Sequence, residues 1–382
     1  MITEPIILNK TGERIARALE RISNQSSAVL GVKRALSLDA STSAWDRTDD
    51  AGGLVANATH DGAAVTNDFD SIYPWSDIVT VNYSRTLGVV ARYGDTNFSF
   101  TPASGIEVMT YIPAFYWKRW RDSANEYIQI SKDYFKGAHF SEEFYIARYT
   151  ISSGTRSVSG VASTVNTTIA TFRTNAQAIG SKWSLLDYHI FLIQMLYLVE
   201  YADNDAQTIL GLGFTDASNT AQLNCGGCDS LGMKSGCLVN DGKHAVIYRG
   251  IENIYGNIWQ FIDGITTSDK RSYICYEPSE YENEKTTAPY EQMGYTNAAT
   301  SDSYVKQMGF DSTNPMVMLP TTVGGSSSTF YCDNYWCDNG LRVARFGGRW
   351  TYGVKAGLFC WALNHAFPSA SATIGSRLLL TI

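Results

Sequence analysis

One segment of this 382-residue chain constrains its fold more than any other. Between Ser184 and about Ala202 lie Leu185, Tyr188, Ile190, Phe191, Leu192, Met195, Leu196, Leu198 and Val199, set around most of the girth of a helix. A helix without a polar stripe has no face to offer water, so it has to sit inside the molecule. Ser184 and Asp187 fit a capping box at its start. No other stretch reads as a long helix. The rest alternates short apolar pieces with loops rich in Gly, Ser, Asp and Asn, the pattern of short strands. One buried helix among strands and loops predicts an α+β fold.

Composition supports a core of that kind, with 44% apolar and 18% charged residues, and the length suggests two or three domains. The 23 tyrosines and 9 tryptophans suit a large core of short strands. They also suit a binding surface, because aromatic rings give rigid contact area at low entropic cost. The net charge is −7 and no basic block occurs, which excludes a nucleic-acid footprint. No apolar run is long enough to span a membrane. The start, MITEPIILNKTGERIARALE, lacks the basic and apolar regions of a secretory signal, so a role outside the cell calls for another route, such as release within a phage particle. The seven cysteines, an odd number, fit free thiols made in a reducing cytoplasm rather than a disulfide framework.

Three regions are expected. Residues 1–27 hold a short helix, capped by Thr11, with Ile15, Leu19 and Ile22 on one stripe that docks on its own domain or on copies of itself. Residues 28–104 form a β-rich N-terminal module, with a hairpin around Gly94-Asp95. Its acid pairs, Asp49-Asp50 and Asp68 with Asp70, lack the ordered spacing of a calcium loop and read as solvated turn residues. From Gly105 to the end the texture is that of a separate domain, beginning with the strand candidates IEVMTYIPAFYWKRW, YIQIS and EEFYIARYTIS.

Candidate chemistry is sparse. None of His60, His139, His189, His244 and His365 lies in a nucleophile–base or zinc-protease signature, and His189 falls on the buried helix as a core residue. Cys225-Gly-Gly-Cys228, with Cys237 and Cys275 downstream, lacks the second close pair of a structural zinc site, and the Cys332 to Cys337 gap is wrong for one. No catalytic residue, metal site or cofactor is predicted.

Four stretches carry a family resemblance. Gly256-Asn257-Ile258-Trp259-Gln260-Phe261 resembles the GNVWEW signature of formylglycine-generating-enzyme-like domains and their C-type-lectin relatives, in which the Trp is a core residue and the Asn and Gly hold a loop beside a strand. Glu143-Phe-Tyr-Ile-Ala-Arg-Tyr-Thr-Ile-Ser and Lys182-Trp183-Ser184 fit the same template, so the resemblance covers roughly 105–382. The segment from Leu341 to Leu380, with Gly347-Gly348-Arg349-Trp350, Ala356-Gly357-Leu358-Phe359 and Ile374-Gly375-Ser376-Arg377-Leu378, is similar to the variable region of diversity-generating-retroelement proteins, a family that includes a phage tropism determinant. There a retroelement recopies the segment with substitutions at template adenines, and the products are displayed on a C-type-lectin fold to bind varied ligands.

The resemblance implies a C-type-lectin-like ligand-binding domain over 105–382, with a variable region at about 345–380. The residue pattern agrees. Gly347, Gly348, Trp350, Gly353, Ala356, Gly357, Phe359, Leu363, Ile374, Gly375 and Arg377 are residues a scaffold needs. Between them stand Arg349, Thr351, Tyr352, Lys355, Cys360, Ala362, His365, Phe367, Ser369 and Ser371, which share no chemistry and are the expected ligand-binding positions. An Asn codon changed at its adenines reaches all of these except Lys355. The expectation is that these side chains face water. No Asp or Glu occurs from Arg349 to Ile382, which predicts a neutral-to-basic binding face with Tyr352, Phe367 and Arg349 as anchors.

The expected function is therefore a receptor-binding protein of a phage tail fibre or bacterial surface. Its partner would be a cell-surface protein or glycan of a bacterial host, and it would act as an oligomer, by resemblance a trimer, for avidity. Two alternatives share the fold. A formylglycine-generating-type oxidase needs a reactive cysteine pair near the C-terminus, and only Cys360 lies in the last forty residues, with Cys332 and Cys337 upstream. A calcium-dependent carbohydrate lectin would carry a Glu-Pro-Asn or Gln-Pro-Asp motif, and Trp336-Cys337-Asp338 only faintly resembles a ligand loop of that family.

Overall fold

A computed structural model describes residues 28–382. The helix expected within 1–27, with Thr11, Ile15, Leu19 and Ile22, lies outside the described residues.

The predicted central helix is present as His189–Tyr201, and all 13 of its residues are buried. Two of its polar members are held by partners. Gln194 donates to the Leu358 carbonyl at 2.7 Å, and Glu200 takes the Arg249 guanidinium at 2.6 Å. The helix starts later than the sequence suggests. Trp183–Leu185 is a strand paired antiparallel with Leu378–Thr381 at the end of the chain. Asp187, rather than a box with Ser184, organises the first turn: its carboxylate accepts from the His189 backbone N–H at 3.0 Å and pairs with His189 Nδ1 at 2.6 Å. A second helix, Ile169–Gln177, is capped by the Thr168 hydroxyl and turns Ile169, Phe172 and Ala176 inward. A third is the short Ala206–Leu210. The other elements described are strands and 3-10 turns, so the molecule is mainly β.

Strands of residues 28–104 pair with strands beyond Gly105. Val29–Ala35 pairs with Asn125–Ser131, and Val79–Ser84 pairs with Ile106–Ile112 in the sheet that also holds the chain's last strand. The run IEVMTYIPAFYWKRW is divided at Pro113 into Ile106–Ile112 and Phe115–Arg121, which join different sheets, because proline supplies no ladder donor. The hairpin expected around Gly94-Asp95 is not formed. Gly88–Arg92 pairs backward with Val79–Ser84, while Asp95 accepts from the Arg92 N–H at 2.8 Å and Asn97 donates to the Val90 carbonyl at 3.1 Å, occupying groups a returning strand would need.

The element that positions the C-terminal face is a nine-stranded sheet. Its middle runs from Trp259–Ser268 through Arg342–Phe346 and Trp361–His365 to Asn334–Cys337. Trp361–His365 is antiparallel to Arg342–Phe346 and parallel to Asn334–Cys337. Ile374–Gly375 adds a short parallel pairing to Trp259 and Gln260.

Candidate ligand-binding face

Strand geometry sorts the C-terminal residues into two layers, because successive side chains point to opposite faces. Ala344, Phe346, Trp361 and Leu363 belong to the main core with the central helix. The Trp361 ring stacks on Phe191 with centroids 5.5 Å apart and meets Phe346 edge-on at 5.1 Å. Val343, Cys360 and Ala362 fall in a second apolar cluster on the opposite face, with Trp259, Phe261, Phe367 and the half-buried Tyr352.

The frame under this face is closely fitted. Gly348 sits at φ +84°, and a β-carbon there would lie 2.7 Å from that of Ala356. At Gly357 a β-carbon would fall 2.0 Å from the Asp333 carboxylate, which accepts the Phe359 N–H at 2.6 Å. The Gly-Asn-Ile-Trp element ties two loops to a strand. The Asn257 side chain accepts from Leu223 N–H at 2.9 Å, its carbonyl accepts from Trp350 N–H at 2.9 Å, and Trp259 is buried. Arg377 is fully buried. Its guanidinium donates to Gln260 and to the carbonyls of Ala147, Arg148, Glu252 and Asn253 at 2.7 to 3.2 Å.

Of the residues expected to face water, Arg349, Thr351, Tyr352, Lys355, His365, Ser369 and Ser371 are half-buried at the surface, beside the exposed Val354. Cys360, Ala362 and Phe367 are buried, against expectation. Cys360 and Ala362 point to the outer face but are roofed, and the Phe367 ring joins their cluster rather than remaining in solvent, as the hydrophobic effect favours for so large a ring. Tyr352 packs edge-on against Trp259 at 5.1 Å, and the Arg349 guanidinium lies 5.7 Å from the Tyr352 ring. Lys355 is paired to Asp302 at 2.5 Å, an acid from a neighbouring strand that also accepts from Asn334. Ser371 lies further along the loop, where its carbonyl accepts the Asn166 N–H and its hydroxyl meets Thr373.

The electrostatics are those of a partly dry cationic surface. Burial, then neighbouring Arg345, pushes His365 down to about 4, which leaves the ring neutral at pH 7. Burial pushes the Tyr352 hydroxyl up to about 12 and the Cys360 thiol well above its ordinary range. A thiol so enclosed stays protonated and is a poor nucleophile. Sequence reasoning missed Arg345 and Asn364, which lie on the outer face and bond to one another at 2.6 Å. Trp259 was read only as core, yet its ring underlies Arg345 at 5.2 Å. The missing acids of the last segment were the one available signal for Arg345, since they leave it no local counter-charge.

No protein family and no curated protein sequence matches this chain. Among solved structures it is similar to the Major Tropism Determinant M1 Variant, at 12% identity and TM-score 0.32, over 93% of this chain and 81% of that one. The U1 and P3c variants of the same determinant match over the same shares at 11% identity, with TM-scores of 0.29 and 0.30. Likeness at this level assigns neither a family nor a function.

Proposed function

We propose that the chain is a receptor-binding protein that meets its ligand with the outer face of the C-terminal sheet. In this reading the scaffold is C-type-lectin-like, the segment at about 345–380 is diversified by a retroelement, and the protein is carried on a phage tail fibre or a bacterial surface as an oligomer. Binding, without a catalytic residue or cofactor, is the activity. One observation carries the reading: along Trp361–His365, Trp361 and Leu363 belong to the core of the central helix while Ala362 belongs to the outer cluster, and a register shift against Arg342–Phe346 sets His365 opposite the outer-face Val343, so recognition residues can change while the frame stays fixed. Arg349, Thr351, Tyr352, Lys355, His365, Ser369 and Ser371 are the proposed contact positions, with Cys360, Ala362 and Phe367 as the floor beneath them.

Binding of the labelled full chain to bacterial cells tests this directly. Replacing Arg349, Tyr352 and His365 together by Ser is expected to cut cell binding roughly ten-fold or more while the melting temperature holds. Equal binding by this variant would refute the face. The diversification reading has its own test in the DNA beside the gene. It requires a near-copy of the codons for Gly347–Leu380 that differs at adenines, together with a reverse transcriptase gene.

A further inference from the structure

We infer that Arg345 and Arg349, with the Asn364 carboxamide beside them, form a subsite for one oxyanion of the ligand, a carboxylate or a phosphate or sulfate group. The inference rests on the outer face being a binding surface and names the chemistry of what binds there.

Arg345 is only 5% exposed, yet its donors are largely unused. One Nη2 bond reaches Asn364 at 2.6 Å, while Nε is enclosed without an acceptor. The Nε of Arg349 is enclosed without an acceptor as well. Among the described residues no carboxylate pairs with either arginine. Asp302 is held by Lys355, Asp338 accepts from the Trp336 indole at 2.9 Å, and no Asp or Glu follows Asp338 in the sequence. Three other buried arginines have acid partners: Arg119 meets Glu126 at 2.5 Å, Arg173 meets Asp263 at 2.7 Å and Arg249 meets Glu200 at 2.6 Å; Arg377 instead spends its donors on Gln260 and main-chain carbonyls, and Arg34 lies over the Tyr331 ring with a bond to the Leu38 carbonyl. A guanidinium taken out of water without an anion carries a desolvation penalty that a bound oxyanion offsets.

The chemistry of the neighbours fits. Guanidinium forks match planar and tetrahedral oxyanions bidentately, and charge-assisted bonds gain strength where water is excluded. The second cation, Arg349, adds attraction, and the Tyr352 ring holds it in place through a cation–π contact. His365 faces Arg345, Arg342 and Asp338, and its ring is held neutral by burial and by Arg345. An anion bound at Arg345 would favour the protonated ring, so His365 reports occupancy through its own titration.

The test is a titration of the full chain with sodium phosphate, sodium sulfate and sodium acetate at constant ionic strength. It is followed by calorimetry and by NMR of the His365 ring, one of five histidines in the chain. Saturable binding that moves the His365 titration to higher pH is expected. It should be lost in Arg345→Gln, weakened several-fold in Arg349→Gln, and kept in a control, Arg271→Gln, an exposed residue of the Arg271–Ile274 strand. Saturation by acetate alone assigns a carboxylate, and saturation by phosphate or sulfate alone assigns a tetrahedral oxyanion. A non-saturating response, equal in wild type and Arg345→Gln, would overturn the inference. Near-UV circular dichroism checks the fold of Arg345→Gln; should that variant misfold, Arg349→Gln and Arg345→Lys decide, the latter keeping the charge and part of the affinity. Cell binding that is not competed by any of the three anions would leave the receptor-binding reading standing and remove the oxyanion subsite. Anion binding without cell binding would do the reverse.

Discussion

Arg377 and Arg345 lie on opposite sides of one structural division. Both are enclosed, and burial draws both guanidinium groups down to about 10, still charged at neutral pH. Arg377 makes five hydrogen bonds that tie the GNIWQF strand, the end of the Phe144–Ala147 strand and the Glu252 turn to the chain's last strand. Arg345 makes one, to a neutral side chain, and rests on a tryptophan ring. The contrast separates a charge buried to build the frame from a charge buried at the edge of a surface. In the first case the donors are used up by carbonyls of distant segments. In the second, the Nε donor has no acceptor within the chain.

The sharpest way to break this comparison is to remove the frame arginine. Arg377→Met removes five hydrogen bonds from the interior; the Arg148 and Asn253 carbonyls keep the Glu252 N–H and the Gln260 side-chain amide, while all four carbonyls and Gln260 lose the guanidinium donor. The expected cost is about 4 kcal/mol or more in urea unfolding, and a cost under about 1 kcal/mol would deny it a structural role. Gly357→Ala probes the same frame from the backbone side. Its new methyl meets Asp333 at 2.0 Å, so the Asp333–Phe359 contact has to shift, and a loss of about 1–3 kcal/mol is expected.

His365 probes the boundary between frame and surface. Its folded pKa, about 4, lies below the ordinary 6.5, so the unfolded chain takes up a proton that the folded chain refuses. Stability at this site is present above pH 6.5 and is lost as pH falls through the window toward 4. His365→Asn should flatten that part of the pH profile by about 1 kcal/mol, a figure reduced for the ring's partial exposure. An unchanged profile would place the ring in open solvent. Arg345→Met is expected to change stability least, between no effect and a gain of about 1 kcal/mol, because an unpaired buried cation is removed. A loss of several kcal/mol would make Arg345 a frame residue like Arg377.

The frame was more legible in the sequence than the surface. Gly348, Gly357, Ile374, Gly375 and Arg377 stand out because steric fit or a full set of hydrogen bonds admits few alternatives, and the all-apolar helix announces its own burial. The start of that helix was misplaced because Trp183–Leu185 is recruited as a strand by Leu378–Thr381, a partner nearly two hundred residues away that no local pattern reveals. The helix at Ile169–Gln177 was missed, although Thr168 and the spacing of Ile169, Phe172 and Ala176 were readable as a cap and an apolar stripe. Phe367 shows the limit on the surface side. It was expected to face water, yet the ring is buried in the cluster that holds Trp259 and Ala362, a tertiary choice with no periodic signal.

The central claim is that the outer face can be rewritten without harm to the frame. The most direct measurement is thermal unfolding across a library that randomises Arg349, Thr351, Tyr352, Lys355, His365, Ser369 and Ser371 together. The account predicts that most members melt cooperatively within about 4 °C of the parent, a spread on the order of 1–2 kcal/mol for a chain of this size. A library in which most members fail to fold would show that these side chains belong to the frame, and the account would be wrong.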